Sequence, residues 1–216
     1  MTIEQVELAQ LFDSNIYLIS SSRKTMLVDS GIGFQSEDTI ASVRRMLGGR
    51  PLDIMVLTHR HYDHVGGANA MIKAFGPKVY AGKDDAPPLR EGDRASTLGA
   101  QFGGPLEPMD VTDLNDGDII DMGEHRMRVI STPGHTIGSI SLFDEVTGAL
   151  FTGDTVFIGG VGKWTYDTGS AEQLISSLKR LSGLKINGLY PGHGPTVPDG
   201  GNEHIINGLR MMGVKQ

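Results

Sequence analysis

The sequence predicts a mixed α/β (α+β) fold, and three observations carry that expectation. Short apolar runs separated by polar turns occur in two series, one in each half of the chain. Stretches with apolar residues at helical spacing alternate with or follow those runs. Glycine supplies 30 of 216 residues, mostly beside polar motifs, so tight turns should close many of the elements.

Taken in order, residues 6–11, 16–20 and 25–29 read as an antiparallel strand series, divided by Asp13-Ser14-Asn15 and Ser21-Ser22-Arg23-Lys24. Ser36 opens a helix running to about Leu47, with Ile40, Val43 and Leu47 on one face and Gly48-Gly49-Arg50-Pro51 ending it. Ile54–Leu57 is a four-residue apolar run of the kind expected of a strand buried on both faces. A helix over 65–74 and a strand over 78–81 continue the alternation. From 82 to 110 four prolines and five glycines leave little room for a long regular element, which predicts a loop-rich insertion: a surface excursion or a lid over a site. Residues 118–121, 126–130, 139–143 and 149–152 read as a second antiparallel series, with a hairpin turn at 145–148. Ser170 begins a helix with Leu174, Ile175, Leu178 and Leu181 on one face and Gly183 at its close. A strand at 188–190 and a helix over 202–212 finish the chain, which is expected to form one domain over 1–216.

Composition narrows the function classes. Against 26 acidic residues stand 19 Lys and Arg, a net charge of −7 with no basic stripe, which argues against nucleic acid as a partner. The amino-terminal segment lacks a basic region followed by an apolar run, and no later run approaches the roughly 18 residues of a membrane span. The default expectation is a cytoplasmic protein with a small-molecule substrate and no membrane partner. A homodimer built through the 82–110 segment is a further expectation. With no cysteine, any metal must sit on histidine and carboxylate.

The stretch Thr58-His59-Arg60-His61-Tyr62-Asp63-His64 supplies four such groups within six residues. In an extended segment His59 and His61 point the same way and can share one ion, while Asp63 and His64, at the turn that follows, reach towards a second. Three more polar residues recur just past a strand and beside glycine: His135 in T-P-G-H-T, Asp154 in F-T-G-D-T and His193 in Y-P-G-H-G. A glycine-bounded turn lets the backbone approach an ion and fixes the side chain. The assignment that fills both sites is His59, His61 and His135 on one ion, Asp63, His64 and His193 on the other, and Asp154 bridging. His125 and His204 lack that context and read as structural or solvated.

The order of these motifs resembles the metallo-β-lactamase superfamily: Asp29 after a strand, the H-x-H-x-D-H run, then His135, Asp154 and His193. The resemblance implies a four-layer αββα sandwich with a metal site on one edge. G-D-T-V-F followed by G-G-V-G-K at 159–163 is similar to the hydroxyacylglutathione hydrolase (glyoxalase II) branch and its prokaryotic relatives. It further implies two divalent ions, zinc with iron or manganese as alternatives, and a bridging hydroxide that attacks a small thioester, ester or lactone. Asp63 would orient that hydroxide as well as bind metal. Asp29 would hydrogen-bond a ligand imidazole from behind and fix its tautomer. Lys163, with Trp164 and Tyr166, would contact substrate. The short tail after His193 leaves no space for the helical domain with which glyoxalase II proteins bind glutathione, and W-T-Y-D-T-G departs from their aromatic pattern. Two other functions stay open at the level of sequence: a mononuclear iron persulfide dioxygenase using His59, His135 and Asp154, and a non-enzymatic metal-binding module.

Overall fold

The structure, a computed structural model, describes residues 1–7 and 13–214. Its first sheet has six strands in sequential order: β1 (Thr2–Gln5), β2 (Tyr17–Ser20), β3 (Thr25–Val28), β4 (Ile54–Leu57), β5 (Lys78–Gly82) and β6 (Thr112–Leu114). β1 to β3 are antiparallel hairpin neighbours, whereas β3 to β6 run parallel. Parallel neighbours need a crossover. Helix α1 (Ser36–Leu47) returns the chain from β3 to β4, and α2 (Tyr62–Val65) with α3 (Ala68–Phe75) returns it to β5. Two short helices, α4 (Ala86–Glu91) and α5 (Gly99–Phe102), lie between β5 and β6.

The second sheet is built from β7 (Ile119–Asp121), β8 (Arg126–Ser131), β9 (Ile140–Asp144) and β10 (Ala149–Gly153), all antiparallel. A small hairpin follows, β11 (Val156–Phe157) with β12 (Gly160–Val161), and then α6 (Ala171–Ser182). The last strand, β13 (Leu189–Pro191), adds in parallel beside β10, and α7 (Gly201–Met211) closes the fold.

Alternation along the central strands explains why four layers form. In β2, β3 and β4 the residues Leu18, Leu27, Met55 and Leu57 face one way and pack against Val43 and Leu47 of α1 and Met71 of α3. Ile19, Met26, Val28, Ile54 and Val56 face the other way and meet Met127, Val129, Leu142 and Phe151 of the second sheet. The opposite face of that sheet, with Ile130, Phe143 and Leu150, is covered by Leu174, Leu178 and Leu181 of α6 and Ile205 and Leu209 of α7. The order is helix, sheet, sheet, helix. Strands buried on both faces read in sequence as unbroken apolar runs, which is why Ile54–Leu57 was legible.

Two expectations need correction. The first described strand is Thr2–Gln5, whose residues are mostly exposed, as befits an edge strand, and so lack the apolar signature; of the strand expected over 6–11, residues 6 and 7 lie outside any strand and 8–11 lie outside the described residues. The helix expected over 65–74 is interrupted at Gly66-Gly67. A Cβ on Gly66 would lie 2.3 Å from the Ile32 carbonyl oxygen, and one on Gly67 2.2 Å from that of Ser30. The loop carrying Asp29 presses its backbone against this point, and only glycine leaves room.

The 82–110 segment is in part a packed structure. Ala86, Leu89, Leu106 and Met109 are buried in the layer beneath α1 and α3, and Phe102 stacks on Tyr62 with ring centroids 5.8 Å apart.

Candidate metal centre

Seven side chains converge where the ends of both sheets meet. The tips of β4 and the turn into α2 present His59, His61, Asp63 and His64. The loop after β8 presents His135, the end of β10 Asp154, and the end of β13 His193. Parallel pairing of β10 with β13 sets the last two side by side, Gly153 opposite Pro191. Their ligand atoms form three groups, each within 4.8 Å: His59, His61 and His135; His59, His64 and Asp154; Asp63, His64 and His193. The first and third are the two sets expected from sequence, and Asp154 lies between them. Its Oδ1 is 3.2 Å from His64 Nε2, and its Oδ2 is 3.6 Å from His135 Nε2 and 3.7 Å from His193 Nε2.

Hydrogen bonds behind the imidazoles determine which nitrogen faces the centre. Asp29, buried and at φ 60°, accepts from the Thr58 amide at 2.7 Å, from the Thr58 hydroxyl at 2.8 Å and from His64 Nδ1 at 2.8 Å. The Thr58 hydroxyl, having donated to Asp29, accepts from His59 Nδ1 at 3.2 Å. His135 Nδ1 donates to the Lys163 carbonyl at 2.7 Å. All three rings are therefore held with Nε2 inward, and in His59 and His135 that nitrogen is unprotonated. His61 turns Nδ1 inward, 2.8 Å from His135 Nε2.

Electrostatics follow the same division. Burial, with neighbouring imidazoles, pulls His59 and His135 below the ordinary imidazole value and His61 down to about 3. Burial also works against a charged His64, but Asp154, Asp29 and Asp63 raise it well above that value. Burial would raise the carboxyls of Asp63 and Asp154, yet His64 beside both holds them low.

The donor set fits a metal. His59 Nε2 and Asp154 Oδ1 are sealed from solvent and have no hydrogen-bond partner among the described residues. A buried acceptor without a partner costs roughly 1–3 kcal/mol, and a cation restores what is missing. Five imidazoles and two carboxylates suit zinc or a comparable divalent ion. Gly192 makes the close packing feasible, since a Cβ there would stand 2.3 Å from Asp154 Oδ1 and 2.6 Å from His64 Cε1. The centre is tight on the His59–His64 side and open at His193 and Asp63, whose side chains are 32% and 20% exposed.

A cavity of about 330 Å³ opens beside His61. One wall is Ser96, Leu98 and Gln101 from the 82–110 segment, and another is Tyr166, Asp167 and Thr168. The Tyr166 ring packs edge-on to His61 and His135, at 4.9 and 5.6 Å. Lys163 extends over the Tyr166 ring, Nζ 4.5 Å from its centroid, while its carbonyl holds His135. Trp164, 36% exposed, is not part of the cavity wall.

Sequence reasoning missed Asp85. It is fully buried and accepts from the Arg60 amide at 3.0 Å, the Thr136 hydroxyl at 2.6 Å and the Gly138 amide at 3.1 Å. It thus ties the loop of His59 and His61 to the loop of His135. Lys83-Asp84-Asp85 reads as a solvated charged turn, and only the tertiary contacts separate the buried aspartate from its neighbour. His125, by contrast, is structural: Nδ1 meets Asp144 Oδ2 at 2.9 Å, far along the second sheet.

Comparison with known proteins agrees with this architecture. A model of the metallo-beta-lactamase superfamily matches residues 9–193. A probable metallo-hydrolase of Methanocaldococcus jannaschii is 32% identical over 85% of this chain and 88% of its own. A hydroxyacylglutathione hydrolase of Rhodospirillum rubrum is 30% identical, covering 92% of this chain and 69% of its own. Among solved structures, one of a protein in a di-iron-bound form superposes with a TM-score of 0.75 at 30% identity, covering 91% of this chain and 94% of that one. Among the described residues no helix is long and apolar enough to cross a membrane.

Proposed function

This chain belongs to the metallo-β-lactamase superfamily, and from that premise we propose that it is a metal-dependent hydrolase with a two-ion centre acting on a small thioester, ester or lactone. One observation carries the reading: five imidazole nitrogens and two carboxylates converge, with His59 Nε2 and Asp154 Oδ1 buried and unpartnered. His59, His61 and His135 would hold one ion, Asp63, His64 and His193 the other, and Asp154 would span both. When bound, two such ions acidify water towards neutrality and offer positive charge to a developing oxyanion. The groups that converge are all imidazole or carboxylate.

The residues of the chain divide the remaining work. Asp63, whose Oδ2 is 3.1 Å from His193 Nε2 on the open side, would orient the attacking water and take its proton. Asp29, Thr58 and the Lys163 carbonyl keep the imidazoles in the ligating tautomer. Tyr166 closes one side of the approach and limits water beside His61. Segment 95–101 supplies the outer wall, which supports a lid role for the 82–110 insertion. A relative that is a hydroxyacylglutathione hydrolase supports an acyl substrate.

Metal analysis of protein purified without added metal, followed by a panel of thioesters, esters and lactones, tests the proposal. About two ions per chain with hydrolysis of a panel member is the expected result. At most one ion after reloading, or oxygen uptake with a persulfide instead of hydrolysis, would overturn it.

A further inference from the structure

Arg60 sits between two of the cluster histidines yet takes no part in the cluster. Its side chain is only 10% exposed. Nη2 donates to the Thr168 hydroxyl at 2.6 Å, and Nε is sealed, 3.7 Å from Asp85 Oδ1 and without a hydrogen bond. Nη1 has no partner among the described residues, although Arg60 lines the cavity that opens beside His61. Asp85 already receives three other hydrogen bonds, so it balances the charge of Arg60 without occupying its donors. A guanidinium tethered at Nη2 and held in a nearly closed site beside Asp85 loses little freedom when its remaining N–H groups meet an oxyanion.

Resting on the hydrolase reading above, we propose that Arg60 is the anion-recognition residue of the cavity and that the substrate is an acyl compound bearing a second, free carboxylate. The reacting carbonyl lies at the cluster, and the carboxylate reaches Nη1 and the spare hydrogen of Nη2 across the cavity. Asp167 on the same wall opposes a dianion, so a singly charged carboxylate fits better than a phosphate monoester. The cavity of about 330 Å³ accommodates a chain of a few carbons between the two groups.

Matched thioesters of one neutral thiol, butanoyl against succinyl, measure the preference by kcat/KM. A second pair places the carboxylate on the thiol arm instead. Wild type is expected to prefer the carboxylate-bearing member of one pair at least tenfold, through KM, and Arg60→Gln to bring that ratio within twofold. Arg60→Lys should restore part of the ratio. Thr168→Val, which removes the tether and leaves the charge, should keep most of it, whereas an Arg60 that only braces the 165–168 turn predicts the same collapse in both variants.

Calorimetry on zinc-supplemented protein with butanoate and succinate reads the site without turnover. Succinate should bind at least tenfold more tightly, and Arg60→Gln should remove the difference. No hydrolysis with this Arg60-dependent difference intact overturns the hydrolase reading alone. Equal binding of the two acids by wild type, or a difference that survives Arg60→Gln, overturns the anion site. Tighter Arg60-dependent binding of 3-phosphonopropanoate than of succinate overturns the choice of carboxylate.

Discussion

Asp29 Oδ2 lies 2.8 Å from His64 Nδ1, and the two side chains are among the most deeply buried polar groups in the protein. Three donors converge on that one carboxylate: the Thr58 amide, the Thr58 hydroxyl and the imidazole. Asp29→Asn keeps the shape but offers one acceptor oxygen and turns an NH2 towards a donor. Metal affinity should fall roughly 10–100-fold, read by competition with a chromophoric chelator. Unchanged affinity would remove Asp29 from any role in setting the tautomer of His64.

Asp63→Ala takes a carboxylate from the open side and leaves His193 Nε2 without its 3.1 Å partner. Expected is loss of about one of two ions and a fall in kcat of roughly 10²- to 10⁴-fold, with little change in the metal-free melting temperature. Elemental analysis and steady-state kinetics on the same preparation check both parts.

Gly192→Ala probes packing rather than ligation. The new methyl would overlap Asp154 Oδ1 and His64 Cε1, at 2.3 and 2.6 Å, and strain of this kind costs about 1–3 kcal/mol. The variant should fold and bind at most one ion, a combination visible as retained circular dichroism with halved metal content.

Chelation separates the metal from the fold. Three apolar layers hold the sandwich independently of the cluster, so stripped protein should remain folded but melt earlier. Adding zinc should stabilise the fold by about 1.4 kcal/mol per tenfold excess over Kd for each ion, so the melting point should rise steadily with concentration. An unfolded apo-protein would contradict this.

A pH effect is expected away from the cluster. Burial would raise the Asp144 carboxyl, but hydrogen bonds from Thr147 and His125 more than offset it, and its folded value lies below 3.8. A depressed carboxyl stabilises the fold above its unfolded value and loses that contribution as pH falls through the folded one. Stability should therefore decline on the acid side of about pH 4, and Asp144→Asn should flatten that decline in denaturant titrations followed against pH.

Legibility in the sequence tracked the range of the interaction involved. The cluster residues stood out because a rigid site demands glycine-bounded turns beside them, as at Gly134-His135, Gly153-Asp154 and Gly192-His193. β4 was legible because burial on both faces leaves an unbroken apolar run. Asp85 and Arg60 were not: an aspartate in Lys83-Asp84-Asp85 and an arginine between two histidines acquire meaning only when distant loops close around them. The Gly66-Gly67 break escaped for the same reason, since its cause is the backbone of residues 30–32 pressing on it. The two-residue strands of β11 and β12 are too short to show a period.

The cluster draws His59, His61, Asp63 and His64 from beyond a strand end of one sheet and His135, Asp154 and His193 from beyond strand ends of the other. A bound ion would thus act as a gauge of alignment between two slabs joined elsewhere by side chains such as Val56 and Phe151. Sliding of one slab over the other by a fraction of an ångström, too little to register in a melting curve, would spoil the coordination polyhedron. Metal occupancy should then report on substitutions in the middle layer long before unfolding does.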